Sequence, residues 1–97
     1  MKRGGYTYIM TNKNNTTVYV GVTSNLYNRV YEHKTKKHPK SFTARYNIDK
    51  LVWYVAFPSI QEAISHEKYL KGKKRDFKND LIDSMNPEWK DLWHEDL

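Results

Sequence analysis

Alternating apolar and polar positions open the chain. From Tyr6 to Thr11 the residues are β-branched or aromatic, with Tyr6, Tyr8 and Met10 on one face and Thr7, Ile9 and Thr11 on the other. Asn12 to Asn15 is turn-forming, because asparagine tolerates left-handed backbone and bonds its own main chain. A second alternating run from Thr16 to Val22 sets Val18, Val20 and Val22 against Tyr19 and Gly21. The pattern predicts an antiparallel hairpin.

The period then changes. Thr23, Ser24 and Asn25 are all good N-cap residues, and Leu26 and Val30, supported by Tyr27 and Tyr31, recur at helical spacing. Arg29 and His33 are four apart and stand one above the other, while Leu26, Val30 and His33 share a stripe that borders the core. From Thr35 to Lys50 there is no clean periodicity, and the segment reads as a basic surface loop with one short helical turn near Phe42 to Tyr46. Leu51 to Phe57 is a continuous apolar run, expected to be the central buried strand, which Pro58 ends.

Ser59 with Glu62 three residues on forms a capping box for a helix whose apolar stripe is Ile60, Ala63, Ile64 and Leu70, ending near Gly72. Glu67 falls inside that stripe. Burying a charge is costly unless it is paired, so Glu67 is either half of a structural salt bridge, which the pattern alone favours, or a metal ligand. A third helix is expected from Lys74 to Met85 with Phe77, Leu81, Ile82 and Met85 facing the core. Asn86-Pro87 is expected to cap a final short helix in which Trp89, Leu92 and Trp93 lock the C-terminus onto the domain. The fold class expected is α+β, sandwich-like: a small three-stranded antiparallel sheet flanked by helices, in one domain over residues 1–97, with a core of about 5–82 and a helical extension over 86–97.

Composition narrows the function. A chain of 97 residues with 38% hydrophobic and 14% aromatic residues can bury a core, so its low mean hydropathy reflects a charged surface. It has no cysteine, which excludes disulfides, thiolate metal sites and cysteine nucleophiles. No long apolar run or hydrophobic leader is present, so a cytoplasmic protein without membrane partners is expected. The net charge of +6 favours polyanions, and it is concentrated: Lys34, Lys36, Lys37, His38, Lys40 and Arg45 follow the first helix, and Lys71, Lys73, Lys74, Arg75 and Lys78 form a second cluster. Glu88, Asp91, Glu95 and Asp96 make the end acidic. His33, His38, His66 and His94 lack the ligand spacing of a zinc site.

Phosphodiester hydrolysis needs charge stabilisation on the phosphoryl oxygens, a base or metal to prepare water, and help for the leaving oxygen. Arg29 can supply the first, a divalent ion on Glu67 the second or third, and a tyrosine or His33 the proton transfer. Tyrosine titrates near pH ~10 and is a poor base unless its neighbours are cationic, as Arg29 and His33 would be. Each residue taken singly has an ordinary structural reading, as a core aromatic, a surface cation or a satisfied histidine.

Taken together they are more specific. Tyr6-Thr7-Tyr8, then Tyr19-Val20-Gly21 with Tyr19 eleven residues after Tyr8, Arg29 ten and His33 fourteen residues after Tyr19, and a helical Glu67 resemble the GIY-YIG nuclease superfamily from Gly5 to about Ile82. In detail the chain is similar to small single-domain bacterial members related to the N-terminal domain of an excision-repair nuclease and to certain homing endonucleases. The first triplet lacks its glycine, and Val22 stands where excision-repair relatives carry a lysine.

The resemblance implies an endonuclease of DNA phosphodiesters, dependent on Mg²⁺ or Mn²⁺, with repair or recombination as its setting. It assigns Tyr8 and Tyr19 to activating the attacking water, Arg29 to holding the scissile phosphate, His33 to the helical histidine position and Glu67 to the metal. Lys34, Lys36, Lys37, Lys40, Arg45, Lys71, Lys73, Lys74 and Arg75 would contact the nucleic-acid backbone in a salt-sensitive, sequence-independent way. Structured or branched DNA, and RNA, stay open as substrates. The alternative function is a nucleic-acid-binding module that kept the fold but cleaves poorly. A third, an interaction domain using the C-terminal tryptophans, is weaker, because Trp89 and Trp93 are explained by packing.

Overall fold

A computed structural model describes residues 4–94 and 97. Among these residues the order is β1 (Gly5–Thr11), β2 (Val18–Thr23), α1 (Leu26–Thr35), α2 (Phe42–Arg45), β3 (Lys50–Phe57), α3 (Ile60–Lys71) and α4 (Arg75–Met85). The three strands form one antiparallel sheet in the order β2-β1-β3, and helices cover both faces. This is the expected α+β arrangement.

The alternation of β1 divides the core. Tyr8 and Met10 pack with Leu26 and Val30 of α1, with Ile48 and with Leu51, while Ile9 packs on the other face with Val20, Val52, Trp53, Leu70 of α3 and Ile82 of α4. Thr7 belongs to the second face, and its hydroxyl donates to the Ala63 carbonyl at 2.8 Å, tying β1 to α3.

The apolar run of β3 lies at a sheet edge, and β1 is the central strand. The run is uninterrupted for a local reason. The register shifts between Ile9 and Met10, which pair with Trp53 and Leu51, so Val52 is the extra residue of a bulge and joins Trp53 in the same core cluster. The edge is also covered: the Leu51 amide donates to Asp91 Oδ1 at 3.1 Å, and the Leu92 amide donates to the Leu51 carbonyl at 2.7 Å.

Helix boundaries follow the capping chemistry. Asn25 accepts from the Asn28 amide, Ser59 and Glu62 form the reciprocal capping box, and Gly72 closes α3. The short helical turn in the basic loop is α2, capped by the Ser41 hydroxyl. The helical stripes are narrower than the periodicity suggests. Ile64, Phe77 and Met85 are 37%, 37% and 43% exposed, because one thin sheet leaves each helix a single line of contact, met by Ala63 and Leu70 on α3 and by Ile82 on α4.

The segment after Met85 is not helical over residues 86–94. Its polar groups are already committed: Asn86 Nδ2 donates to the Val52 and Lys90 carbonyls at 3.2 and 2.7 Å, and the Lys90 amide donates back to Asn86 Oδ1 at 3.1 Å. Trp89 has a left-handed backbone with φ of 54°. The segment still locks onto the domain, since Leu92 and Trp93 pack on one core cluster and Trp89 on the other. Glu95 and Asp96 of the acidic end lie outside the described residues.

The hairpin turn is held from a distance. Asn15 takes a left-handed φ of 58°, and Arg75 donates to the Asn15 and Thr16 carbonyls at 2.8 and 3.1 Å while its Nε donates to Asn79 at 2.9 Å. Arg75→Ala should therefore lower stability by about 2 kcal/mol, the range for hydrogen bonds from a charged donor. Arg75→Lys should recover little of it, because an ammonium cannot span three acceptors as the guanidinium does. Urea denaturation of the two variants checks both expectations.

Candidate active site

Tyr8 sits at the middle of the central strand and is almost fully buried. Its cross-strand partner on β2 is Gly21, and a Cβ built there would lie 2.4 Å from the Tyr8 ring and hydroxyl. Only glycine leaves room for the ring to lie across the sheet. Two residues earlier on β2, Tyr19 shares that face, with its ring centroid 6.4 Å from that of Tyr8.

Helix α1 completes the cluster. Its stripe of Leu26, Val30 and His33 is buried as the spacing predicts, and this carries His33 over the two tyrosines. Tyr8 Oη lies 2.9 Å from His33 Nε2, and Tyr19 meets the imidazole edge-on at 5.6 Å. The other ring nitrogen, Nδ1, lies 2.9 Å from Thr43 Oγ1, which is 3.3 Å from Ser41 Oγ. Both hydroxyls can donate or accept, so a neutral imidazole held between them donates to one and accepts from the other.

The electrostatics correct one expectation. Burial and then the neighbouring Arg29 charge lower the His33 pKa from its ordinary 6.5 to about 4, so His33 is neutral at pH 7 and is not a cationic neighbour of the tyrosines. Burial, and after it the nearby Tyr19, raises the Tyr8 pKa above the ordinary phenol value, with Arg29 opposing the shift. In this environment Tyr8 is a neutral phenol hydrogen-bonded to a neutral imidazole.

Arg29, one turn before His33, is half-buried and exerts its charge on both tyrosines. Its Nη1 donates to Glu32 Oε1 at 2.9 Å, and Glu32 also takes Lys37 Nζ at 3.3 Å. Arg29, followed by Lys37, holds the Glu32 carboxyl below the usual carboxylate range.

Glu67 stands on α3, whose buried residues Ala63 and Leu70 pack on the other side of the sheet. It lies on the α3 stripe between Ala63 and Leu70, its side chain 14% exposed and paired with Lys71 at 3.0 Å, which is the salt bridge the pattern favours. Its charge adds to the rise in the Tyr8 pKa, so the two groups interact through space. Among the described residues no group of three or more histidines and carboxylates could hold a metal. The donor set still suits Mg²⁺, which commonly takes one or two carboxylates and fills its remaining positions with water and substrate phosphate oxygens.

The basic residues divide into three groups. Lys34 is built into the fold, donating to the Asp49 carbonyl at 2.8 Å, pairing with Asp91 and lying 5.5 Å over the Trp93 ring, and Arg75 holds the hairpin turn. Lys36 bonds Asn47 at 2.6 Å, Lys37 and Lys71 pair with carboxylates, and Lys73 lies over Tyr69 at 4.7 Å and Phe77 at 5.3 Å. Lys40, Arg45 and Lys74 are exposed. No helix of the described residues is long and apolar enough to cross a membrane.

The sequence model of the GIY-YIG catalytic domain matches residues 4–80. The chain belongs to the GIY-YIG family. This places the Tyr8, Tyr19 and His33 cluster inside a GIY-YIG catalytic domain, and the family is one of nucleases. The fold is similar to the solution NMR structure of a UPF0213 protein from Bacillus halodurans, at 30% identity over 87% of this chain and 86% of that one, with a TM-score of 0.52. No curated protein matches the GIY-YIG chain.

Thr43, Ser41 and Glu32 were not legible as parts of the site. Ser41 carried a helix-start signal inside the basic loop, and Glu32 stands three residues after Arg29, but nothing in the sequence joins Thr43 to His33.

Two outcomes follow from this GIY-YIG site. Gly21→Ala should cost about 1–3 kcal/mol, the range for overpacking, and should move the His33 imidazole signals in an NMR spectrum as Tyr8 is pushed away. His33 should also make stability pH-dependent. Its folded pKa of about 4 lies below the ordinary 6.5, so the unfolded chain takes up its proton first and stability is lost as pH falls from 6.5 toward 4. The melting temperature of the wild type should fall more steeply over that window than that of His33→Gln.

Proposed function

We propose that the chain is a divalent-metal-dependent endonuclease that hydrolyses DNA phosphodiester bonds. The observation that carries the reading is the convergence of Tyr8, Tyr19 and His33 on one sheet face, under the charge of Arg29, inside the matched catalytic domain.

Arg29 holds the scissile phosphate. A guanidinium offers paired donors that match phosphate oxygens, and its charge stabilises the negative charge that builds up in the transition state. Glu32 occupies one end of Arg29 and sets its direction. Proton transfer falls to the pair Tyr8 and His33. Because His33 is neutral with Nε2 facing Tyr8 Oη, the phenol can accept a proton from water as it passes its own to the imidazole. Thr43 steadies the resulting charge at Nδ1. Tyr19, packed edge-on against His33, orients the imidazole. Glu67 would hold the metal, Mg²⁺ or Mn²⁺, which when bound supplies positive charge for the leaving oxygen.

Exposed cations at Lys40, Arg45 and Lys74 contact phosphates in a sequence-independent mode, and Lys36, Lys37, Lys71 and Lys73 can turn from internal partners to the same task. Lys34 and Arg75 act by shaping the surface. A repair or recombination role would follow from such a nuclease.

A second reading, a binding module that cleaves poorly, draws support from one observation: Arg29 and Glu67 are both engaged in internal ion pairs. Cleavage separates the two. With Mg²⁺ or Mn²⁺ the wild type should nick supercoiled DNA, chelator should stop it, Glu67→Ala should abolish the metal-dependent nicking, and Tyr8→Phe should lower the rate at least ~100-fold, in the range for losing a proton-transfer group. DNA binding by Glu67→Ala should persist. If the wild type binds but never nicks under any metal, the binding-module reading replaces the nuclease.

A further inference from the structure

Helix α2 has two unlike sides. Thr43 and Ala44 are buried and seat it against the site, whereas Phe42 is 46% exposed and Tyr46, its C-cap, is 49% exposed. Single exposed aromatics are common on protein surfaces and need no explanation. These two touch each other, with centroids 4.7 Å apart, and Phe42 stacks on Tyr19 at 6.4 Å with an interplanar angle of 27°. A row of rings thus leads from Tyr8 through Tyr19 and Phe42 to Tyr46 at the surface.

The core does not need the outer two rings, since α2 is anchored by its buried pair. Charge surrounds them: the Arg45 guanidinium lies 5.8 Å over the Tyr46 ring, and Lys40, just before the helix, is exposed. Aromatic faces interleaved with cations are what a single nucleic-acid strand requires. Its bases stack on the rings and its phosphates meet the cations, whereas the bases of a duplex are already stacked on one another and offer no face.

We propose that Phe42 and Tyr46 form a stacking step for an unpaired DNA base beside the cleavage point, with Arg45 and Lys40 taking the adjoining phosphates. The preferred substrate is then DNA with a single-stranded stretch next to the scissile bond, such as a splayed fork. Placing the step beside a scissile bond rests on the nuclease reading; the stacking itself does not.

The test compares a fluorescein-labelled single strand, the matching duplex and a splayed fork by anisotropy in chelator, so that binding is read without cleavage. The wild type should hold the strand and the fork more tightly than the duplex. Phe42→Ala and Tyr46→Ala should each weaken fork binding about tenfold, the loss of one stacked base, with duplex binding little changed. Phe42→Trp should restore it. Circular dichroism confirms that each variant is folded, and Tyr46, at the end of α2, gives an independent arm if Phe42→Ala disturbs the helix. Fork affinity equal to the wild type in both alanine variants, or equal losses on fork and duplex, overturns the proposal. Returning Mg²⁺ to the wild type on the fork then separates the two ideas. Nicking without a stacking effect removes only the stacking step, and a stacking effect without nicking removes only the nuclease.

Discussion

The hydrogen bond between Tyr8 and His33 joins the centre of the sheet to the first helix, and much of the architecture exists to permit it. Tyr8 can lie flat across β2 only because its neighbour there is Gly21. His33 reaches it because Leu26 and Val30 bury the same stripe of α1, and the far side of the imidazole is occupied by Thr43, delivered by a four-residue helix that Ser41 caps. A buried phenol, imidazole and hydroxyl would each be costly unpaired; in series each satisfies the next. Among the described residues no buried side-chain polar atom is left without a partner.

Burial also decides the protonation states. Removing water from Tyr8 and His33 disfavours the charged form of each, and the Arg29 guanidinium reinforces this at His33 while opposing it at Tyr8 without overcoming burial. The charge of the site is therefore kept at the rim, on Arg29 and its neighbours, where Glu32 pairs with the arginine and Lys71 with the Glu67 carboxylate. Those ion pairs are partly solvent-exposed and cheap to exchange. Under the proposed function a phosphate approaching Arg29 would compete with Glu32, and a cation approaching Glu67 would compete with Lys71.

The aromatic row extends this logic outward. Its inner members are fixed by packing, its outer members are half in solvent, and the change from one to the other takes place within the α2 region, at Phe42. The surface cations sort in a similar way. Lys34 and Arg75 belong to the two basic clusters by sequence but are committed to the C-terminal segment and the hairpin turn, whereas Lys40 and Arg45 face outward.

Local chemistry determined much of the fold. Strand alternation, the capping box at Ser59, the Asn25 cap and the stop at Gly72 depend on neighbours within a few residues, and these were legible from the chain, as was the placement of His33 on a buried stripe. The motif spacing also pointed to the family, because a nuclease motif written on a hairpin and one helix is itself a local pattern. What needed the tertiary structure was everything set by partners far along the chain. The edge position of β3 follows from the strand order, and its apolar run is explained by a bulge opposite Ile9 and by cover from Asp91 and Leu92. The final segment gave up its helix because Asn86, Leu51 and Asp91 took its polar groups first. The charge of His33 and the link to Thr43 followed from burial between two helices, which spacing alone does not encode: desolvation is a property of the assembled neighbourhood, not of the residue.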